Sequence, residues 1–430
     1  MSTIYKGDEL TRLLSGRRIL LAGYGREGKS SEQLIRRLLP QDDITIAEGN
    51  ENIQQEARKG YDMVVKSPGI PTFIFEGHCP LDIITSQTDL FLQVYASQTI
   101  GVTGTKGKST TTNLIAAAMR RHNPHTLMAG NMGIPLFDII DQIDADTTIV
   151  AEFSCHQLEN IHRAPHTAIL LNLFQEHLDH YHSYLDYQIA KLQIALRQQS
   201  EDLFFYCTDN DTLKHLVEQY QTQMHGTVFP YSLHSSLAEQ LKELPSHLTG
   251  NHNLSNIVVA RMATQAWGVD DTTFTQALAD FHGLEHRLEC VGTYHGITFY
   301  NDSISTIPAA CMAAVSSLSK VDTLILGGFD RGIDYSVLVP FIQQSTIRNI
   351  VLIGEAGHRI GKLLQESHAD QGRNILYENN YELIVQWCYK HTAAGKTCLL
   401  SPAAASYDAF KNFEHRGRTF KELVLRYGNN

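Results

Sequence analysis

Residues 98–119 pass from an apolar, strand-like stretch (Gln98-Thr99-Ile100-Gly101-Val102) through a glycine- and threonine-rich loop into a helix-compatible stretch that begins at Thr112. A strand feeding a glycine loop at a helix N-terminus is the setting of a phosphate loop, because the bare backbone N–H groups of the first helical turn point at an anion. Gly104 and Gly107 let the backbone close on phosphates, with Thr105, Lys106 and Thr110 in the same loop. The Lys108 ammonium reaches β- and γ-phosphates, and the Ser109 hydroxyl suits Mg²⁺. Val102 stands where the general GxxxxGK[ST] pattern has its first glycine, so the loop belongs to a sub-family. The other reading is a plain glycine/threonine turn. The expected ligands are ATP and Mg²⁺.

A chain of 430 residues exceeds one ordinary core, and one domain per ~150 residues gives about three. The net charge of −11, with no basic run, argues against nucleic acid as a partner. An anionic nucleotide must therefore be held focally, by loops, helix N-termini and Mg²⁺. Seven scattered cysteines with no CxxC spacing fit a reduced compartment and no structural zinc. Residues 1–9 lack an apolar signal core, and no run of about 18 apolar residues occurs. The expectation is a cytoplasmic protein that acts on small-molecule substrates, without membrane insertion.

Strand and helix patterns alternate along the whole chain, which predicts an α/β fold of three domains. In residues 1–95, a strand at 17–22 meets the GYGREG turn of Gly23, Tyr24, Gly25 and Gly28, followed by a helix at 30–39. Further strands at 44–47, ending at Glu48, and at 62–66, breaking at Ser67-Pro68-Gly69, make this segment Rossmann-like. Such a turn can hold any pyrophosphate or none. Residues 96–285 carry strands at 147–153, 167–173 and 202–207 and helices at 183–197 and 254–267, as a P-loop ATPase-like parallel sheet requires. Residues 286–430 repeat the alternation, with strands at 297–301, 323–327, 349–354 and 397–401, and read as a second Rossmann-like unit.

Polar residues gather where parallel strands end, the edge at which ligands sit. Glu152 closes the 147–153 strand and can complete a Mg²⁺ shell with Ser109. The run 171–181 then brings Glu176, His177, Asp179 and His180, a second metal or substrate shell or a solvated loop. Lys191 falls on a helix among apolar neighbours, where a lysine ordinarily snorkels to water.

Taken in order, GVTGTKGKSTTT, AEFSCHQLE, NLFQEHLDHY with Lys191, GNHNLSN, LEHRLE, NDS and SPAAASYDAFKNFEHRGRTF span almost the whole chain. This series resembles the Mur ligases, the ATP-dependent amino-acid-adding enzymes of peptidoglycan synthesis, and most closely their glutamate-adding branch. The resemblance implies cell-wall biogenesis, and with it roles in cell shape and division. It implies that Lys191 is carbamylated by CO₂ and, with His177, holds a second Mg²⁺, while Ser109 and Glu152 hold the first. Lys108, His177 and Lys191 become the catalytic set. Asn253 and Asn256 match the adenine side, and Arg287 and Asp302 match residues that reach ATP from the C-terminal domain. Gly23, Tyr24, Gly25, Glu48, Gly69 and Asn131 match the cradle of the UDP-sugar, and Thr306, Arg331, Ser406 and Phe413 the glutamate pocket. The implied substrates are UDP-MurNAc-L-Ala and glutamate, handled by a monomer.

The amino-acid pocket departs from the family pattern. Ile304 occupies a position where the D-glutamate-adding enzymes usually carry lysine, Ile307 replaces an amide, and a further lysine is replaced by Arg331. D-glutamate is the favoured acceptor; the alternative is L-glutamate, followed by a separate epimerase. A folylpolyglutamate synthase-like ligase would lack the Rossmann-like first segment. A non-catalytic nucleotide-binding protein would not need Lys108, Ser109, Glu152, His177 and Lys191 together.

Overall fold

The structure, a computed structural model, describes residues 6–40, 43–131, 133–176, 180–248, 250–318 and 320–429. Three sheets follow one another along the chain. The first joins β1 (Ile19–Ala22), β2 (Ile44–Ala47), β3 (Met63–Lys66) and β4 (Ile84–Thr85) in the order β2-β1-β3-β4, all parallel. The second holds β5 (Thr99–Thr103), β6 (Thr126–Gly130), β7 (Thr148–Glu152), β8 (Thr167–Leu170), β9 (Leu203–Cys207) and β10 (Thr227–Tyr231) in the order β10-β9-β8-β5-β7-β6, again all parallel. In the third, β11 (Glu289–Tyr294) is antiparallel to β12 (Ile297–Asn301) at one edge. The order continues with β16 (Thr397–Leu400), β13 (Val321–Gly327), β14 (Asn349–Ile353) and β15 (Asn374–Tyr377), all parallel.

These strands are parallel because helices return the chain across each face, and their sequences are correspondingly apolar. All five residues of β5 and of β7 are buried. On one side of the second sheet, Ile100, Val102 and Val150 pack with Leu114 and Ile115 of the helix Lys108–His122 and with Val258 and Val259 of the helix Asn251–Ala266. On the other, Ile149, Phe153 and Leu170 join a core that also contains Leu21 and Val65 of the first sheet. The first two sheets therefore share one compact unit, residues 1–281, and the third sheet forms a second, residues 282–430.

Three helix starts differ from the sequence-based expectation, the first being the phosphate-loop helix, which begins at Lys108 and not at Thr112. The helix expected at 30–39 begins at Arg26, so the last residues of the glycine turn are its first turn, with Glu27 favourably placed at the positive end of the helix dipole. The helix expected at 254–267 begins at Asn251, immediately after Gly250 at φ +88°. Among the described residues, no helix is long and apolar enough to cross a membrane.

Candidate functional site

The second sheet reverses its strand order around β5: the chain leaves β5 toward β7 and β6, and leaves β8 toward β9 and β10. The crevice beyond the carboxyl ends of β5 and β8 is therefore a topological switch point, the place where open parallel sheets bind ligands. The phosphate loop follows β5 and the segment 171–176 follows β8, and the two are stitched together. Thr105 N donates to Asn172 O at 3.0 Å, Lys106 N to Asn172 Oδ1 at 2.8 Å, and Asn172 Nδ2 back to Lys106 O at 3.1 Å. Lys106 itself is exposed and pairs with Glu176 at 2.5 Å.

The loop's shape depends on glycine at one point above all. Gly107 caps the helix Lys108–His122 at φ +84°, and a Cβ there would stand 2.5 Å from Asn256 Oδ1. Asn256, buried in the helix Asn251–Ala266, thus lies directly against the loop, and its Nδ2 donates to Asn253 Oδ1 at 3.3 Å. Ser109 and Thr110 occupy the first turn of the loop's helix.

Two lysines converge on one carbonyl. Lys108 Nζ donates to Gly104 O at 2.9 Å and to Thr105 O at 3.0 Å, and Lys191 Nζ donates to the same Gly104 O at 2.9 Å. Lys191 lies on the helix Tyr184–Leu196 and is only 2% exposed, so it does not snorkel. Burial pushes its pKa down to about 8, with the neighbouring Lys108 charge acting in the same direction. Lys108 is lowered too, again chiefly by burial, against the pull of Glu152 and Glu176.

Glu152, 2% exposed at the end of β7, accepts Asn131 Nδ2 on Oε1 at 2.9 Å, whereas its Oε2 is buried without a hydrogen-bond partner. A buried bare carboxylate oxygen fits a cation. Asn131 is thus positioned to orient Glu152. Among the described residues, no group of three or more His, Cys, Asp or Glu side chains surrounds a common point; His177 and Asp179 lie outside the described residues.

The other candidates for the sugar nucleotide lie at the carboxyl ends of the first sheet. Ser67 Oγ donates to Gly23 O at 2.9 Å, which joins the glycine turn to the loop holding Gly69. Gly28 has to be glycine because a Cβ would meet Gly23 O at 2.3 Å. Tyr24 Oη donates to Glu32, and Glu48 opens a cavity of about 530 Å³ with Gly49, Asn50 and Asn52. Arg26 donates to Gly133 O at 3.0 Å and so brings the loop that begins at Asn131 beside the turn.

Sequence reasoning missed two polar links between the first and second sheets. Glu27 Oε1 accepts Gln157 Nε2 at 2.7 Å while Oε2 is buried without a partner, and burial raises the pKa to about 6. Lys66 Nζ, also buried, donates to Ile70 O at 2.8 Å and Glu159 Oε2 at 3.0 Å. Burial opposes charge on both partners and lowers the Lys66 pKa, yet His180 and Lys66 hold the Glu159 carboxyl down at about 2, so that carboxylate is ionised at neutral pH. Gln157 and Glu159 both belong to the AEFSCHQLE motif, and that was the available signal.

In the second unit, Thr306, Arg331, Ser406 and Phe413 line one cavity of about 200 Å³, together with Ile304, Ala405 and Tyr407. Arg331 Nη2 donates to Thr306 O at 3.0 Å. Asp302 is buried, accepting Ser401 Oγ at 2.7 Å and Leu288 N at 3.2 Å, and its pKa is raised by burial. Arg287 is exposed.

Comparison with known proteins adds independent findings. The family model described as the Mur ligase middle domain matches residues 102–264. The UDP-N-acetylmuramoylalanine--D-glutamate ligase of Desulfitobacterium hafniense (strain Y51) is 35% identical over 389 residues, covering 85% of this chain and 84% of its own. The enzyme of the same name from Acetivibrio thermocellus is 31% identical over 393 residues, covering 85% and 83%. Among solved structures, MurF from Acinetobacter baumannii shares the fold at a TM-score of 0.58 and 15% identity, over 80% of this chain and 82% of that one. MurF ligase from Thermotoga maritima, in complex with ADP, gives a TM-score of 0.55 at 13% identity, over 95% of each chain.

Proposed function

Because this chain belongs to the Mur ligase family, we propose that it joins D-glutamate to UDP-N-acetylmuramoyl-L-alanine at the expense of ATP, as a step of peptidoglycan synthesis. It is an ATP-dependent amide-bond ligase. The observation that carries the reading is the meeting of Lys108 and Lys191 at Gly104 O inside a phosphate loop at the sheet's switch point.

The reaction begins when the donor carboxylate attacks the γ-phosphorus of ATP, giving an acyl phosphate and ADP. Lys108 steadies the phosphoryl oxygens, and the backbone N–H groups after Gly107 face the same anion. Bound Mg²⁺ supplies the charge neutralisation that this transfer requires. Ser109 and Glu152 are assigned to one ion, an assignment that the bare Glu152 Oε2 supports; His177 and a carbamylated Lys191 are assigned to the second. A carbamate needs an unprotonated amine to add CO₂, and burial of Lys191 favours that form. It also replaces two cations competing for one carbonyl by an anion beside Lys108. The glutamate amine then attacks the acyl carbon, and phosphate leaves.

Asn253 and Asn256 are assigned to adenine, and Arg287 and Asp302 to the nucleotide from the C-terminal unit. Gly23, Tyr24, Gly25, Glu48 and Gly69 are assigned to the UDP-sugar, with Asn131 bordering it. Thr306, Arg331, Ser406 and Phe413 are assigned to glutamate, Arg331 to a carboxylate. The names of the relatives support D-glutamate. Ile304 in the cavity wall supports the second reading, L-glutamate with a separate epimerase.

The test is Lys191→Ala, measured as phosphate release with ATP, Mg²⁺, UDP-MurNAc-L-Ala and glutamate. Turnover falls by about a thousandfold or more, as when a transition-state charge partner is removed, and short carboxylates restore part of it. A Lys191→Ala enzyme as active as the parent would contradict the assignment.

A further inference from the structure

The cavity in the second unit is walled by three loops and one helix: 302–306 after β12, 328–331 after β13, 403–407 after β16, and the start of the helix Phe413–Gly428. One side chain ties them together. Arg416, 1% exposed, donates Nε to Ser303 Oγ at 2.9 Å and Nη2 to Ser303 O at 2.8 Å and Ala404 O at 3.1 Å. Its Nη1 donates to Ala404 O at 3.2 Å and Ala405 O at 3.1 Å. Ser303 Oγ in turn donates to Phe413 O at 2.8 Å, and Ala405 O also accepts Phe329 N at 2.9 Å from the β13 loop. All five N–H groups of the guanidinium are thereby used.

The partners of that fork are neutral oxygens. No ion pair to Arg416 occurs among the described residues, and Asp408 acts on it only through space. Arginine does not shed its proton even when buried. A whole positive charge thus lies directly behind Ala405, which is a wall residue of the cavity, while Arg331 supplies the cation at its surface. In surroundings of low polarity a fixed charge acts over a longer range than it does in water.

We infer that Arg416 is a positioning residue for the amino-acid substrate: it fixes the loop walls of the cavity and places a second cation behind them, so that a dicarboxylate is preferred to its monoamide. This rests on the reading of glutamate as substrate. A purely structural arginine would affect all substrates, or folding, without distinction.

The experiment compares the parent enzyme with Arg416→Lys, which keeps charge but loses the fork, Arg416→Met, which loses both, and Ser303→Ala, which removes one acceptor. Each is assayed for KM toward glutamate, ATP and the UDP-sugar, and for inhibition by glutamine relative to glutarate. Arg416→Lys is expected to raise the glutamate KM about tenfold, with the other two constants changed by less than about twofold. Arg416→Met is expected, in addition, to erase the preference for the dicarboxylate inhibitor. Ser303→Ala, the mildest change, raises the glutamate KM alone by about threefold and decides the question if neither Arg416 variant folds. Equal rises in all three constants, or an unchanged glutamate KM in Arg416→Lys or Ser303→Ala, would overturn the inference while leaving the substrate reading intact. A parent enzyme inactive with both glutamate enantiomers would overturn both.

Discussion

Glu27 occupies the glycine-rich turn where an anionic pyrophosphate is assigned, with one oxygen held by Gln157 and the other bare. A carboxyl whose folded pKa, about 6, exceeds its ordinary 4.5 costs stability as pH rises through that interval, and the cost persists above it. Glu27→Gln should therefore stabilise the protein by about 2 kcal/mol at pH 7.5, with the gain gone below about pH 4. Urea unfolding at the two pH values checks this; an equal effect at both would show that charge is not the cause. Sequence alone did not disclose Glu27 because it fills a variable position of GxGxxG. Lys191 was legible only through the ordered motifs around it, since depth along an apolar helix is set by tertiary packing. Arg416 lies inside the 401–420 motif, yet its role was not legible, because its four acceptor atoms belong to residues 11 to 113 positions away.

At the scale of elements, the alternation of short apolar strands with helices made most of the sheet strands readable, and the residues of the phosphate loop were readable although its helix begins at Lys108 and not at Thr112. Helix starts were less so, because the residues of a glycine turn can also serve as a first helical turn, as Arg26 does. Five strands escaped notice, β4, β6, β10, β11 and β15, and all five lie at the edges of their sheets, where β4 has only two residues and β11 and β15 have no fully buried position. The loop itself makes a sharp demand. Gly107→Ala places a Cβ at φ +84° and 2.5 Å from Asn256 Oδ1, which must shift. The strain, roughly 1–2 kcal/mol, should weaken binding of a non-hydrolysable ATP analogue about tenfold. Calorimetric titration measures it, and a Kd within twofold of the parent would show that the loop tolerates the change.

In the whole molecule, the residues assigned to carboxylate activation and those assigned to amine delivery belong to different parts of the chain. The phosphate loop, Glu152 and Lys191 lie in residues 1–281, and the cavity assigned to glutamate lies in residues 282–430. The family rests on relatives matched over 85% of the chain, and the matched middle domain falls within the first part. What individualises this chain lies in the second, where Ile304 and Arg331 share a wall. The side of the cavity on which the carboxylate contact falls distinguishes enantiomers, and one-dimensional order does not encode that side. The decisive measurement is phosphate release from ATP with Mg²⁺ and UDP-MurNAc-L-Ala, run in parallel with D- and L-glutamate. The account predicts turnover with D-glutamate at least about a hundredfold above L-glutamate; turnover with L-glutamate alone, or with neither, would contradict it.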